Sequence, residues 1–234
     1  MRVFVLTGAG VSAESGLGTF RDVGGVWARF DPMKLATPEA FAADPDLVHE
    51  FYNARRRNLL AAEPNAAHRA LATLEAGLAE RGGALNLVTQ NIDDLHERGG
   101  ALEVLHMHGE LLKVRCVGCG AVFGWRDDLG VVDRCRMCRR GGMLRPDVVW
   151  FGEMPLLMDR IADALEAADL FVAIGTSGSV YPAANFVNLA RASGIRTCEL
   201  NLAASDNAGM FDERRYGIAS EVVPAWVDEM LTRA

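Results

Sequence analysis

Residues 2–7, RVFVLT, run without a break into Gly8-Ala9-Gly10-Val11-Ser12-Ala13, and no other stretch constrains the fold as tightly. Four consecutive apolar residues in so short a run suit a strand buried on both faces of a parallel sheet. A G-x-G-x-x-A turn directly after such a strand predicts the rim of a nucleotide crevice. Its first glycine permits the sharp turn, and its second lets backbone approach a pyrophosphate seated at the N-terminus of the following helix. A glycine-rich turn that only packs is the competing reading. The acid that closes the second strand in dinucleotide dehydrogenases is missing here, so hydride transfer is not implied.

Three further runs read as strands of the same sheet: ALNLVTQN (84–91), DLFVAIGTS (169–177) and IRTCELN (195–201). Helix-like segments such as PNAAHRALATLEAGLAERGG and MDRIADALEAADL alternate with them, which predicts a doubly wound α/β fold with a Rossmann-like parallel sheet. Two stretches break the alternation. Residues 32–80 read as a wholly helical insertion, and residues 111–145, rich in cysteine and glycine, as a zinc-binding insertion; the two form a smaller lobe. Residues 1–31, 81–110 and 146–234 then make the large lobe of one domain spanning all 234 residues.

A formal net charge of −7 and a sequence pI near 5.3 argue against a general nucleic-acid binder. No apolar stretch is long enough to cross a membrane. With the strand pattern starting at residue 2, no signal or transit segment is expected. A cytoplasmic monomer is the expectation.

Two of the other strands end in polar residues where a sheet's ligand crevice should lie, at Gln90-Asn91-Ile92-Asp93 and at Gly175-Thr176-Ser177. His106 and His108, two apart in LHMHGEL, would share a face of an extended segment. Taken alone, either is a hydrogen-bonded structural histidine, and Gly109 would admit a substrate close to the second ring. The run FYNARRRNL (51–59) places three arginines in an acidic chain. On a helix starting near Pro45, Arg55 falls about 40° from Phe51, inside a mostly apolar arc, whereas Arg56 and Arg57 point well away. Two solvated arginines and one facing the interior are therefore expected. Arg55 could serve a structural ion pair, snorkel to the surface, or hold an anion with Tyr52 one turn away.

Cys116-x-x-Cys119 and Cys135-x-x-Cys138, separated by fifteen residues, match a tetrahedral four-thiolate zinc site. All four positions are filled by protein, so the metal is structural. Cys198, outside the pairs, reads as a small buried hydrophobe.

In order along the chain, GAGVSAESGLGTFRD, TQNIDDLHERGG, HMHGEL, the two CxxC pairs, VVWFGE, GTS and ELN resemble the sirtuin family of NAD-dependent protein lysine deacylases, with a weaker likeness in YGIAS. ATPEAF and FYNARRRNL resemble the bacterial and mitochondrial class that removes acidic acyl groups. The resemblance implies a site for NAD formed by Gly8, Ala9, Gly10, Ala13, Glu14, Thr19, Phe20, Arg21, Trp27, Gln90, Asn91, Ile92, Asp93, Gly175, Thr176, Ser177, Asn201, Leu202, Ala203 and Ala219. Asn91 and Asp93 would hold the nicotinamide carboxamide, and His108 would be the general base on a ribose hydroxyl. Phe20 would shield the reacting face, and Arg21 would contact phosphate or order that loop. Val149, Phe151 and Gly152 would pair with the substrate peptide as an added strand. Ala36, Tyr52 and Arg55 would receive a succinyl or malonyl group. The products implied are free lysine, nicotinamide and 2′-O-acyl-ADP-ribose, and the partners are acyl-lysine proteins or peptides.

The chain departs from the family pattern twice. Asn201-Leu202-Ala203 stands where many relatives have N-x-E, from which weaker NAD binding is expected. Gly18-Thr19 lacks a common proline. Two other functions share these residues: a zinc-knuckle module that senses NAD, supported by the local basic set Arg126, Arg134, Arg136, Arg139 and Arg140, and an ADP-ribosyltransferase.

Overall fold

The central strand β1 (Arg2–Thr7) pairs in parallel with β2 (Ala84–Thr89) on one side and with β7 (Leu170–Ile174) on the other. In this computed structural model, which describes residues 1–18 and 32–233, β3 (Val104–His106), β8 (Arg196–Asn201) and β9 (Glu213–Tyr216) complete a six-stranded parallel sheet of order β3-β2-β1-β7-β8-β9. Thr19, Phe20, Arg21 and Trp27 lie outside the described residues. All four strand-like runs are strands. The two edge strands, β3 and β9, are short, and β9 reads ERRY, without an apolar pattern to reveal it.

Side-chain alternation along β1 divides the core. Val3 and Val5 pack with Leu87, Val172 and Leu200 against helices α4 (Ala66–Glu80) and α8 (Ala219–Arg233). Phe4 and Leu6 pack on the opposite face with Val88, Phe171 and Ala173, under α6 (Met158–Glu166) and α7 (Phe186–Ala192). Cys198 is buried in the first of these clusters. Although α4 falls within residues 32–80, its Ala67, Leu71, Leu74 and Leu78 cover the parallel sheet, so this helix packs with the large lobe.

The small lobe joins α1 (Pro32–Leu35), α2 (Pro38–Ala43) and α3 (Pro45–Ala61) to an antiparallel sheet of β4 (Gly109–Cys116), β5 (Val122–Gly124) and β6 (Leu144–Val148), in the order β5-β4-β6. Each of the longer two helices starts on an N-cap followed by proline. Thr37 Oγ1 accepts from Ala40 N at 3.1 Å and Asp44 Oδ1 from Leu47 N at 3.0 Å, which satisfies amides that the helix start leaves without partners.

Helix α3 corrects the expected roles of its arginines. Arg56, expected in solvent, is fully buried; its Nε donates to Leu111 O at 3.2 Å and its Nη1 to Asn53 Oδ1 at 2.7 Å. Asn53 in turn holds both backbone groups of Leu129, 2.9 Å to the carbonyl and 2.8 Å from the amide. The buried arc is wider than the apolar residues because the zinc-bearing insertion covers the polar face bearing His49, Asn53 and Arg56. Arg57 is exposed and pairs with Asp128, as expected. Arg55 is half-buried.

Among the described residues no helix is long and apolar enough to cross a membrane.

Candidate functional site

The strand order reverses about β1, so the crevice opens at the carboxyl ends of β1 and β7, where open α/β sheets bind ligands. There two loops interlock. Gly8 N donates to Ile174 O at 3.0 Å and Gly10 N to Gly175 O at 2.9 Å. A Cβ on Gly10 would lie 2.7 Å from Gly175 Cα, and one on Gly8 2.8 Å from Gly175 O. Both glycines are therefore required by the neighbouring backbone itself, a reason the motif alone did not disclose. Ala9–Ser15 form the helix that follows the turn, a 3-10 helix that ends at Gly16 in the left-handed region. Ala13 lies on it. Glu14 is turned toward α8 and accepts from Ser220 N at 2.8 Å and Ser220 Oγ at 2.6 Å, next to Ala219.

Beyond β7 and β8, Asn201 Nδ2 donates to Thr176 O at 2.8 Å, which joins two of the loops that the resemblance assigns to NAD. Ser177 O accepts from Asp206 N at 2.9 Å. Leu202 and Ala203 are exposed.

A buried polar network lies behind the glycine turn, and sequence reasoning missed most of it. Asn91 Nδ2 donates to Gly8 O at 3.1 Å and to Ser12 Oγ at 3.2 Å, and Ser12 Oγ donates to Asp93 Oδ2 at 3.1 Å. His68 receives the amide of Asn65 on Nδ1 at 3.2 Å, so its Nε2 carries the proton that it gives to Ser12 Oγ at 3.3 Å. Thr7 Oγ1 lies 3.0 Å from His96 Nε2 and donates to Thr89 Oγ1 at 2.8 Å. Burial holds His68 neutral, with its pKa pushed down to about 4, and also pushes that of His96 well below the usual imidazole range. Burial also raises the pKa of Asp93, against the hydrogen bonds from Leu95 N and Ser12. The one visible signal was Asn65-x-x-His68 at the start of α4, a reciprocal cap in which both residues bond each other's end of the turn.

The two histidines of the H-x-H pair are held differently. His106 is buried at the end of β3, with Nε2 2.7 Å from Glu97 Oε1. Burial opposes its protonation, but Glu97 outweighs that and the pKa rises. His108 is half-buried, and its Nδ1 donates to Gln90 O at 3.0 Å, leaving Nε2 as the acceptor. Burial lowers its pKa, partly offset by the Gln90 carbonyl, so the ring is neutral at pH 7. Gly109 does not make room for a substrate: its φ is +79°, and a Cβ there would lie 2.1 Å from Asp147 O. It lets β6 approach.

Next to this loop, Tyr52 is 2 % exposed and its hydroxyl accepts from Trp150 Nε1 at 2.9 Å. Burial pushes the phenol up to about 12, so it keeps its proton to donate. The Arg55 guanidinium lies 5.6 Å from the Phe51 ring and 6.0 Å from the Tyr52 ring. Burial lowers its pKa, while Tyr52 and Asp93 act in the opposite sense. Ala36 packs in the same cluster, and its carbonyl accepts from Phe151 N at 2.9 Å. Val149 N donates to His108 O at 2.8 Å, which ties the segment 149–152 to the histidine loop. Phe151 and Gly152 are exposed.

The sulfur atoms of Cys116, Cys119, Cys135 and Cys138 all lie within 4.8 Å of one another. Cys116 and Cys138 are 3.6 Å apart, and Cys119 and Cys135 3.7 Å. Four thiolates about 2.3 Å from one zinc would be about 3.8 Å apart at the tetrahedral angle, so the donor set fits one zinc ion. Each pair closes a tight turn, with Gly120 N on Cys116 O and Arg139 N on Cys135 O.

Comparison with known proteins agrees with this geometry. The model of the Sir2 family matches residues 8–182. An NAD-dependent protein deacylase of Caulobacter vibrioides is 64% identical over 233 residues, covering 100% of this chain and 98% of its own length. That of Salmonella typhimurium is 56% identical over 232 residues, covering 98% of this chain and 84% of its own. A solved Sir2 homologue in complex with NAD superposes with a TM-score of 0.89 at 39% identity, over 99% of this chain and 90% of the other. With the model spanning most of the chain and full-length relatives so similar, this protein belongs to the Sir2 family.

Proposed function

We propose that this chain is an NAD-dependent protein lysine deacylase that removes succinyl and malonyl groups, as well as acetyl groups, from lysine side chains. Its deacylase activity and its use of NAD follow from family membership and from relatives that carry that name over the whole chain. The observation that carries the acidic acyl preference is the meeting of Tyr52 and Arg55. A protonated phenol and a partly buried guanidinium stand on one helix turn, a donor set suited to a carboxylate. The hydroxyl of Tyr52 already accepts from Trp150, so its own proton is the one available to a ligand.

NAD would supply the ribose carbon that the acyl oxygen attacks and the ADP-ribose that carries the acyl group away, with one water consumed as lysine is released, so that the products are nicotinamide, free lysine and 2′-O-acyl-ADP-ribose. Asn91 Oδ1 makes no hydrogen bond with the described residues, which supports a role in accepting from the nicotinamide carboxamide. Asp93, fixed by Ser12 and by the Leu95 amide, completes that pocket. His108 Nε2 takes the proton of a ribose hydroxyl, because Nδ1 is committed to Gln90. Residues 149–152 receive the substrate backbone as an added strand.

Turnover of acetyl- and succinyl-lysine versions of one peptide, followed by nicotinamide and free lysine together, tests this reading. A charge-assisted hydrogen bond contributes roughly 1.5–3 kcal/mol, so Arg55→Met is expected to lower desuccinylation about 10–150-fold and deacetylation far less. Equal losses on both peptides would mean that Arg55 supports the fold. Nicotinamide release with ADP-ribose on protein and no free lysine would mean a transferase instead.

A further inference from the structure

A cavity of about 160 Å³ opens beside the segment assigned to the substrate backbone, lined by Arg115, Arg145, Val148, Val149, Glu153, Met154 and Leu156. Arg115 and Arg145 are cross-strand partners on β4 and β6. Their situations differ. Arg145 is mostly buried and forks onto Glu153, 2.6 Å and 2.9 Å to the two carboxylate oxygens, and lies 3.4 Å from the centre of the Trp150 indole. That pair is neutral and spent. Arg115 is also ion-paired, with Asp147, but through Nε alone, 2.8 Å from Oδ1. Its two Nη groups make no hydrogen bond with the described residues, and its side chain is 42% exposed.

The surrounding field has the same sign. Residues 111–145 hold eight Lys and Arg against three Asp, within a chain of formal net charge −7. Four thiolates and one zinc lower that local excess without reversing it. Successive side chains of an added strand point to alternate sides, so a polypeptide laid along 149–152 sends its acyl-lysine to one side and a flanking side chain toward this cavity.

Resting on the deacylase reading above, we propose that Arg115 and this cavity form a subsite for an acidic side chain of the substrate polypeptide, a few residues from the acyl-lysine. The cavity is several times the roughly 30 Å³ that a water molecule occupies, room for a carboxylate and its stem. Arg115 offers two parallel N–H donors, a geometry and charge that favour a carboxylate over a neutral amide side chain. Arg115 is thus a specificity residue for the sequence around the lysine, separate from Tyr52 and Arg55, which face the acyl group.

The test uses one acyl-lysine peptide in which Glu, Gln or Lys is moved through the flanking positions, with kcat/KM measured for wild type, Arg115→Gln and Arg115→Glu. At one position wild type is expected to prefer Glu over Lys about tenfold or more, mainly through KM. The preference shrinks as salt is raised, disappears in Arg115→Gln and inverts in Arg115→Glu. Zinc content and thermal melting, measured alongside, show whether the variants are folded. A folded Arg115→Gln that loses the same factor on every peptide overturns the proposal, as does a wild type indifferent to all flanking charges. Wild type that deacylates no peptide in the presence of NAD would instead overturn the deacylase reading itself.

Discussion

His108 holds its Nδ1 proton against the carbonyl of Gln90 at 3.0 Å, which fixes the tautomer and leaves Nε2 as the basic nitrogen. A base whose pKa burial has lowered stays neutral further into acid than a free imidazole. The acidic limb of kcat/KM is therefore expected below pH 6.5. His108→Ala is expected to lower turnover about 10²–10⁴-fold and to remove that limb, with the melting temperature little changed. Should His106→Ala abolish the limb and His108→Ala leave it intact, the two roles would have to be exchanged.

The three adjacent arginines of α3 predict three different phenotypes. Arg57→Ala touches an exposed pair and should change stability by about 0.5 kcal/mol or less. Arg56→Leu leaves the buried carbonyl of Leu111 without its side-chain donor and takes one of two donors from Asn53 Oδ1, which keeps the Leu129 amide, and should destabilise by roughly 1–3 kcal/mol. Arg55→Met should leave stability nearly unchanged and alter the acyl preference. Chemical denaturation of the three variants, beside assays on two acyl peptides, separates these outcomes.

One equivalent of zinc should accompany protein purified without added metal, and Cys119→Ser should release it. Because Asn53 clasps Leu129, loss of the metal should loosen α3 as well as the insertion, and deacylation should fail together with the lobe. Metal analysis and melting curves before and after chelation check this. A stable disulfide between any two of the four cysteines in active protein would exclude the zinc assignment.

Acid should destabilise the fold through His68. Its pKa is about 4 in the folded chain against about 6.5 unfolded, so between these values the unfolded chain binds more protons. Its contribution is fully present above pH 6.5 and declines as pH falls toward 4. A shift of this size corresponds to about 3 kcal/mol. The melting temperature of His68→Gln should therefore vary less over that range than that of wild type, and parallel curves would remove His68 as the cause.

The central strands, the polar loops at their ends and the cysteine cluster were legible because each rests on local pattern: apolar runs, a glycine turn, a fixed spacing. What stayed hidden depends on contact between distant segments. The burial of Arg56 needs Leu111 and Leu129 to arrive from the zinc insertion. The polar set Thr7, Ser12, His68, Thr89 and His96 is assembled from β1, the 3-10 helix after it, α4, β2 and the short helix Leu95–Arg98, and the one telling local spacing is that of His68 with its cap partner Asn65. Strand β9 formed from ERRY because β8 offered it an edge, a tertiary effect that outweighs weak strand propensity.

The interlocked loops at Gly8, Gly10 and Gly175 bear on how this crevice can be interrogated. At these positions the width of the gap is set by atoms that are absent, and Gly175, at φ +62°, would place a Cβ 2.5 Å from Val11 N. Alanine substitution, the usual means of deleting a contact, would here insert one and wedge β1 from β7. A loss of cofactor binding in such variants would report a sprung frame, so the contribution of this backbone to recognition must be probed from the ligand's side, with analogues trimmed at the pyrophosphate.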